Sequence, residues 1–447
     1  MGTYLSRTPG SAGNRKTMTF SCWVKRSGLS SFQSIISAGT NGATYSDDLS
    51  FQSSDKIMLD LITTSGRYQA ESSALFRDPS SWYHVVIAIN TTAASNRMLV
   101  YVNNEQVAVN SGGIPQNQDI TFNNNTLQEI GRRGSNSSNF GSYYLTDFNF
   151  IDGQALTPST FGETDSTTGE WKPKVTFSGL TYGTNGFRLQ FGNAAALGTD
   201  TSGQSNNFTV NNAGTNAKTV DTATNNFATL DPLSNYYPQS TFSKGNNKIQ
   251  TATSTYTYNL SNMGVSKGKW FMEARAGAKS GGGNWYSAGI AEGPPSSNAL
   301  TLGRDTYYPS SNGAGQIGYY GYATNWVYQN DNYYLGAASN YTTSNYGDGS
   351  IIGIALDADN NNVKFYADGV VQNSGTAFTI GASSTGFWHF AFGEFDGSNN
   401  YIWETNFGNP TYTISSGNAD ANGHGNFEYA VPSGYYALCT KNINQYG

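Results

Sequence analysis

The sequence predicts an all-β protein made of two β-sandwiches that are joined by a β-rich segment. Short runs of alternating apolar and polar residues recur along the 447-residue chain, and Gly, Asn, Asp and Ser separate them. Aromatic residues make up 14% of the chain and charged residues only 12%, with 52 glycines. No amphipathic pattern of helical length stands out. A chain of this length exceeds one ordinary core, so two or three domains are expected.

Two distant segments share one pattern, in which two strands are followed by a tight hairpin tip. The first covers residues 82–107 and has its tip at Asn103 and Asn104. The second covers residues 349–371 and has its tip at Asp368 and Gly369. Asn and Gly tolerate the positive φ that two-residue hairpin turns need. The repeated pattern predicts two sandwiches whose function lies in loops around these hairpins.

The first predicted sandwich spans residues 1–165. Residues 17–26 alternate apolar and polar side chains, which predicts a half-buried strand, and Cys22 on its apolar face predicts a buried free thiol rather than a disulfide with Cys439. A short helical turn is expected after residue 156, with Thr157 as its cap and Pro158 at its first position. Further strands are expected at 34–38, 49–51, 57–62, 82–90, 97–102 and within 128–156.

Residues 166–235 are predicted to bridge the two sandwiches, and residues 236–447 to form the second one. The bridging segment is rich in Asn, Thr and Gly, yet its phenylalanines favour packing on one or both domains. Basic residues near the start of the chain are interpreted as solvated strand ends, or alternatively as a docking patch for an acidic partner. This interpretation concerns Arg7, Arg15, Lys16, Lys25 and Arg26.

Composition and charge also limit the kinds of partner that are expected. A formal net charge of −6 argues against a nucleic-acid partner, and none is expected. No run of 18 apolar residues exists, so membrane insertion is not expected. A polar surface made by Ser, Thr, Asn and Gly rather than by ions suits an extracellular or virion-exposed protein.

The first domain resembles the laminin-G and pentraxin-like branch of the concanavalin A-like jelly rolls. The resemblance rests on FSCWVKR at 20–26, WYHVVIAI at 82–89, MLVYVNNEQV at 98–107 and LTDFNFIDGQALTPSTFGE at 145–163. The second domain resembles SPRY-type sandwiches through GKWFMEA at 268–274, AGIAEG at 288–293, GQIGYYGY at 315–322, residues 349–370 and TNFGNPTY at 405–412. The linking stretches look like those of virion proteins from tailed bacteriophages.

This resemblance implies a non-enzymatic structural protein on the virion surface, assembled in the bacterial cytoplasm. We expect an exposed tail fibre or tail-associated appendage whose lectin-like domains bind host polysaccharide or neighbouring virion proteins. A homo-oligomer is expected, and a trimer is taken as its form because phage fibres are commonly trimers. Because no coiled-coil heptads or repeat shaft are present, a capsid decoration or head-fibre protein is the alternative. A glycan depolymerase is the second alternative.

Catalytic residues and metal ligands are not assigned. Glucanases of this fold carry Glu-x-Asp-x-Glu on one strand, and the nearest match here, Glu394 and Asp396, lacks the third carboxylate because Ser398 stands in its place. His84 and His389 are expected in the core or on a sheet face. Calcium is the one cofactor that the laminin-G resemblance leaves open. The candidate ligands are Asp47, Asp48 and Asp152 in loop-like segments, and Asp357 and Asp359 in a segment that is predicted to be a hairpin turn.

The tyrosine-rich region at 303–348 is the main functional signal. Aromatic faces stack on sugar rings, and tyrosine also gives large contact area to protein partners. Structural packing, subunit contact and glycan binding remain alternatives for this region, and GYYGY is expected to be a core strand. The candidate glycan- or partner-binding residues are Tyr307, Tyr308, Trp326, Tyr328, Tyr333, Tyr334 and Tyr341.

Overall fold

The computed structural model confirms an all-β chain built from antiparallel sheets. It describes residues 2–447 except 110–112, 215–216, 236–239, 254–257, 283–285, 293–315, 321–325, 331–338, 341–345, 381, 384 and 395–397. The chain forms two compact units, Met1–Lys218 and Thr219–Gly447, called unit 1 and unit 2 below. The border at 218/219 lies inside the predicted bridging segment, so that segment is shared between the units instead of forming a third part.

Unit 1 contains two large sheets and one small hairpin. Sheet I contains, in order across the sheet, Thr209–Asn211, Tyr4–Arg7, Gln128–Ile130, Gln33–Ala38, Ser46–Phe51, Ile57–Thr63 and Gly66–Glu71. Sheet II contains Phe187–Leu189, Tyr143–Asp152, Thr17–Arg26, Trp82–Asn90, Met98–Val102 and Glu105–Val109. The hairpin pairs Gly162–Thr164 with Trp171–Pro173, and a 3₁₀ turn covers Pro158–Thr160.

The core of unit 1 follows from alternation along the strand Thr17–Arg26. Met18, Phe20, Cys22 and Val24 all lie in the core between the sheets, because every second side chain of a strand points to the same face. The Phe20 ring stacks on Phe150 with centroids 4.6 Å apart. Cys22 is therefore a buried free thiol, as predicted, and Cys439 is buried and free in unit 2.

Both predicted hairpin tips are confirmed. Asn103 and Asn104 have φ values of 48° and 71°, and the strands pair on either side of them. Asp368 and Gly369 have φ values of 47° and 80° in the second copy. Two successive residues with positive φ are the geometry of a type I′ turn, whose twist matches that of the flanking strands.

Unit 2 also contains two large sheets around one core. Sheet III contains Leu230–Asn235, Tyr258–Ser261, Trp388–Glu394, Tyr286–Glu292, Gln316–Tyr320, Trp326–Asn330 and Ser339–Asn340. Sheet IV contains Thr241–Ser243, Lys248–Gln250, Tyr401–Asn406, Lys269–Lys279, Ile351–Asp357, Asn362–Ala367 and Val370–Val371. Phe378–Thr379 and Tyr436–Ala437 add to sheet IV, and a 3₁₀ turn covers Asn373–Gly375. The α-helix Thr440–Tyr446 follows.

The core of unit 2 is dominated by large aromatic side chains. Trp403 lies 5.4 Å from Phe392 and from Tyr286 between ring centroids. All three side chains are fully buried. Such rings bury much apolar area each and favour tilted or edge-to-face contacts. Within the described ranges, no helix is long and apolar enough to cross a membrane.

Two expectations about unit 1 need correction. Lys25 and Arg26 are not solvated strand ends, since both side chains are fully buried. Arg26 Nη1 donates to Asp55 at 2.9 Å, and a charge inside the protein requires such a partner. Thr157 stands at the cap position of the 3₁₀ turn, but its side chain makes no capping hydrogen bond. Burial therefore removes Lys25 and Arg26 from any exposed basic patch.

The phenylalanine core of unit 1 yields the first prediction. Replacing Phe20 with Ala should lower the free energy of unfolding of unit 1 by about 3–5 kcal/mol, because the ring is lost and a cavity remains. Urea unfolding followed by near-UV circular dichroism measures this change. Val175→Ala is the control, since Val175 is 82% exposed and its loss should leave the unfolding midpoint unchanged. Equal effects of the two substitutions would contradict the assigned core.

Candidate binding site

Three described strands from the tyrosine-rich region lie at one edge of sheet III. The strand Gln316–Tyr320 pairs with Tyr286–Glu292, and Trp326–Asn330 and Ser339–Asn340 extend the sheet outward from it. Trp326 and Tyr328 are thus on a strand near the edge, where only their backbone is described. Tyr307, Tyr308, Tyr333, Tyr334 and Tyr341 lie outside the described residues. Residues 318–320 of GYYGY lie in a strand, as predicted. The binding role of the seven candidate aromatic residues stays a prediction.

Glu394, the nearest match to a glucanase carboxylate, lies inside unit 2. It ends the strand Trp388–Glu394 and is 0% exposed. By alternation it falls on the same face as Phe390 and Phe392, which are core residues. Its predicted companion Asp396 lies outside the described residues. A carboxylate in this position faces the core instead of a substrate cleft.

Asp47 and Asp48, two of the calcium candidates, are not placed to bind one ion together. They are neighbours on the strand Ser46–Phe51, so they point to opposite faces of sheet I. Asp47 Oδ2 accepts from the backbone N–H of Phe122 at 2.5 Å, and Asp48 accepts from the hydroxyl of Ser34 at 2.5 Å. Burial raises the pKa of Asp47 to about 8 and that of Asp48 to about 6, against the lowering effect of these hydrogen bonds.

The other calcium candidates are engaged in holding loops. Asp152 accepts from the backbone of Asn14 at 2.8 Å and from the side chain of Asn123 at 2.6 Å. Asp357 accepts from Asn360 and pairs with Lys269 at 2.9 Å, in the predicted hairpin turn. Among the described residues, no three acidic, His or Cys side chains converge in a way that could hold a metal ion.

A buried carboxylate in unit 2 also holds a loop. Glu273 Oε1 accepts from the backbone N–H of Tyr429 at 2.8 Å, and Oε2 accepts from that of Glu428 at 2.9 Å. Burial raises the pKa of Glu273 to about 7. The contacts fasten the C-terminal segment to sheet IV, which gives this carboxylate a structural role that the sequence pattern did not reveal.

His84 forms the centre of an aromatic stack on the outer face of sheet II. Its ring lies 4.6 Å from that of Trp23 and nearly parallel to it, at 11°. Nε2 is 2.9 Å from the hydroxyl of Ser21, and Nδ1 accepts from Trp171 Nε1 at 2.9 Å. Burial lowers the pKa of His84 to about 3. The neutral imidazole therefore fastens the hairpin 162–173 to the sheet, and the expectation of a sheet-face histidine is met.

Residues 2–160 match the family model described as the concanavalin A-like lectin/glucanases superfamily, of the laminin G type. Unit 1 has the concanavalin A-like fold. The match covers the hairpin tip at Asn103 and both sheets except for their edge strands Thr209–Asn211 and Phe187–Leu189, which agrees with the resemblance found in the sequence. No curated protein matches the chain. The family includes both binding modules and glycoside-cleaving enzymes, so the match alone does not choose between them.

Solved structures show remote similarity to the chain. The SPRY domain of human HERC1 is 12% identical, covering 41% of this chain and 99% of that one, with a TM-score of 0.29. A SAP-like pentraxin from Limulus polyphemus is 16% identical, covering 35% and 71%, with a TM-score of 0.27. Domains LG4-5 of the mouse laminin α1 chain are 10% identical, covering 98% and 84%, with a TM-score of 0.30. Likenesses this remote carry no information about a ligand.

The raised pKa of Asp47 gives a pH-dependent prediction. Its folded pKa, about 8, exceeds the usual unfolded value near 3.9, so the folded state binds more protons between these values and loses stability as pH rises through that window. Asp47→Asn removes the buried charge and should raise the free energy of unfolding at pH 8.5 but much less at pH 5. Calcium ligation by Asp47 would give the opposite result, with the variant losing stability in calcium.

The lowered pKa of His84 predicts a dependence of stability on pH that is opposite in sign to that of Asp47. The unfolded imidazole titrates near 6.5 and the folded one at about 3, so the unfolded state binds more protons in between. The contribution of His84 to the stability of unit 1 should therefore fall as pH drops from 6.5 to 3, against the contribution of Asp47. His84→Gln should flatten this dependence, measured as the free energy of unfolding against pH, whereas His424→Gln in unit 2 should not. An unchanged slope in His84→Gln would rule out His84 as its source.

Proposed function

We propose that this chain is a non-enzymatic binding protein on the surface of a tailed-bacteriophage virion, as part of a tail fibre or tail-associated appendage. Its concanavalin A-like unit would bind host surface polysaccharide or neighbouring virion proteins, in a homo-oligomer that we take to be a trimer. The observation that carries the binding function is the match of residues 2–160 to a family of lectin-type domains. The virion assignment is supported by the resemblance of the linking stretches and by the low charge.

The position of Glu394 supports binding over hydrolysis. Retaining glycosidases need two carboxyl groups roughly 5 Å apart on either side of the scissile bond, and inverting ones need a wider pair. Glu394 is instead fully buried, on the face that carries Phe390 and Phe392. A glycan depolymerase is therefore the less favoured function for unit 2.

A head position is the alternative within the virion. The sequence has no heptad pattern or repeated shaft, which a long fibre would be expected to have. A capsid decoration or head-fibre protein needs neither. Immunogold labelling of intact particles, with antibodies against the purified chain, separates the two positions. Label on the tail supports the proposal, label on the head supports the alternative, and particles without label would exclude both.

The tyrosine-rich edge of sheet III is proposed as the glycan-binding surface of unit 2. Substituting Trp326 or Tyr328 by Ala should weaken binding of a host polysaccharide about tenfold, the effect of losing one well-placed aromatic contact of roughly 1.4 kcal/mol. A glycan array followed by biolayer interferometry measures this loss. Tyr45→Ala is the matched control, because Tyr45 is an exposed tyrosine of unit 1. Silence of the native protein on host polysaccharides would end the receptor-binding proposal.

The non-enzymatic assignment has its own test. Purified protein incubated with host polysaccharide should release no reducing sugar, and Glu394→Gln should behave in the same way. Release by the native protein that disappears in Glu394→Gln would make the chain a depolymerase. A folding control for this variant is the near-UV circular dichroism of the unit 2 tryptophans, since Trp403 and its neighbours pack in the same core.

A further inference from the structure

A cleft of about 620 Å³ lies on the outer side of sheet II in unit 1. It is formed after the strand Tyr143–Asp152, between the 3₁₀ turn, the hairpin 162–173 and the loop 174–180. Its size lies within the usual range of about 300–1,000 Å³ for small-ligand sites. The residues that carry the argument are Gln154, Leu156, Glu163, Lys174, Phe177 and Leu180.

One wall of the cleft is apolar and fixed in place. Leu156, Phe177 and Leu180 pack on the outer cluster that contains Val86 and Phe161. The Phe177 ring lies 5.7 Å from that of Phe161 between centroids. A wall held in this way is organised before a ligand arrives, so less conformational entropy is lost on binding.

Arg188 also holds Phe177 of this wall in place. Its guanidinium lies 4.4 Å from the centre of the Phe177 ring. Arg188 Nε also pairs with Asp147 at 2.7 Å, which is part of sheet II. The cation–π contact thus ties the Phe177 ring to a strand of the sandwich. Because Phe177 lies in the middle of the loop 174–180, this contact anchors that loop.

The polar residues of the cleft lining offer hydrogen-bonding groups of both kinds. Glu163 is 48% exposed in its side chain and lies 3.9 Å from Lys172 Nζ. Lys174 Nζ donates one hydrogen bond to the carbonyl of Ser159 at 2.6 Å, and an ammonium group carries three donors. Gln154 Nε2 donates to the carbonyl of Thr181 at 2.9 Å, which fixes the orientation of its amide.

The formal charges of the residues that line the cleft sum to zero. Glu163 and Lys174 are the charged residues among those that line the cleft, one of each sign. A strongly anionic ligand would be attracted by Lys174 and repelled by Glu163, and a cationic ligand would experience the reverse. A neutral ligand with one apolar face and several hydroxyl groups can use the apolar wall and both charged groups together. A sugar ring has this combination of surfaces.

We propose that this cleft binds a short neutral oligosaccharide. The C–H face of a sugar ring lies against Leu156, Phe177 and Leu180, while ring hydroxyls donate to Glu163 and accept from Lys174. This inference rests on the proposed lectin-type function and adds a second glycan site in unit 1. The site is separate in sequence from the tyrosine-rich edge of unit 2.

Calorimetric titration of the full chain with neutral trisaccharides tests the proposal. The probes are maltotriose, cellotriose, xylotriose, mannotriose and galactotriose, with sialyllactose as the anionic comparison. Glu163→Gln should weaken binding of the trisaccharide about tenfold, since it replaces a charged hydrogen-bond acceptor with a weaker neutral one. Glu170→Gln is the matched control, because Glu170 is an exposed carboxylate of the same hairpin that does not line the cleft.

A second measurement locates the ligand independently of affinity. In protein labelled with 5-fluorotryptophan, the ¹⁹F resonance of Trp171, assigned with Trp171→Phe, should shift when trisaccharide is added. Trp171 begins the strand that leads directly into Lys174. The same titration in Glu163→Gln should reach that shift only at about tenfold higher sugar concentration.

The outcomes are distinguishable. Loss of affinity in Glu163→Gln, with Glu170→Gln unchanged, supports the cleft. Trisaccharide binding that is equal in the native protein and both variants overturns the cleft site but leaves the proposed lectin function standing. Tighter binding of sialyllactose than of any neutral probe overturns the ligand class. No binding of any probe by the native chain overturns the cleft site, whereas the glycan array with host polysaccharides decides the proposed lectin function separately.

Discussion

Alternation along the strand Thr17–Arg26 is the constraint on which unit 1 depends. This strand pairs with Trp82–Asn90 on one side and Tyr143–Asp152 on the other, so its register fixes the middle of sheet II. Its inward residues build the core. Its outward residues include Ser21 and Trp23, which hold His84, and His84 in turn accepts from Trp171 of the hairpin. A shift of one residue would exchange the two faces and lose both the core and the hairpin anchor.

A buried ion pair adds a second constraint at the end of the same strand. Arg26 donates to Asp55 and to the carbonyl of Phe76 at 2.7 Å, and its guanidinium lies 4.4 Å from the centre of the Phe51 ring. Burial lowers the pKa of Arg26, while Asp55 acts against that lowering. Breaking such a pair leaves an unpaired buried charge, which typically costs about 3–5 kcal/mol. The pair therefore limits which residues can occupy both positions, whatever its net contribution to stability.

Local patterns in the sequence predicted the strands and the hairpin tips, because these depend on alternation and on the residues that tolerate positive φ. Features made by distant segments were not predictable in the same way. The partner of Arg26 comes from residue 55, and the hairpin that meets His84 comes from residue 171, so neither pairing leaves a local signal. For the same reason Glu163 and Lys174 did not stand out: each is an ordinary surface residue until the loop 174–180 folds back beside the 3₁₀ turn.

The pairing of the first and last strands of unit 1 has a mechanical consequence. Tyr4 pairs with Asn211 and Ser6 with Thr209 in an antiparallel register, so the chain enters and leaves the unit at the same end of one strand pair. A pulling force applied to the two ends of the unit would break these hydrogen bonds one after another. It would not load all of them in shear at the same time. The edge strand Thr209–Asn211 should therefore detach at low force, before the rest of sheet I is disturbed.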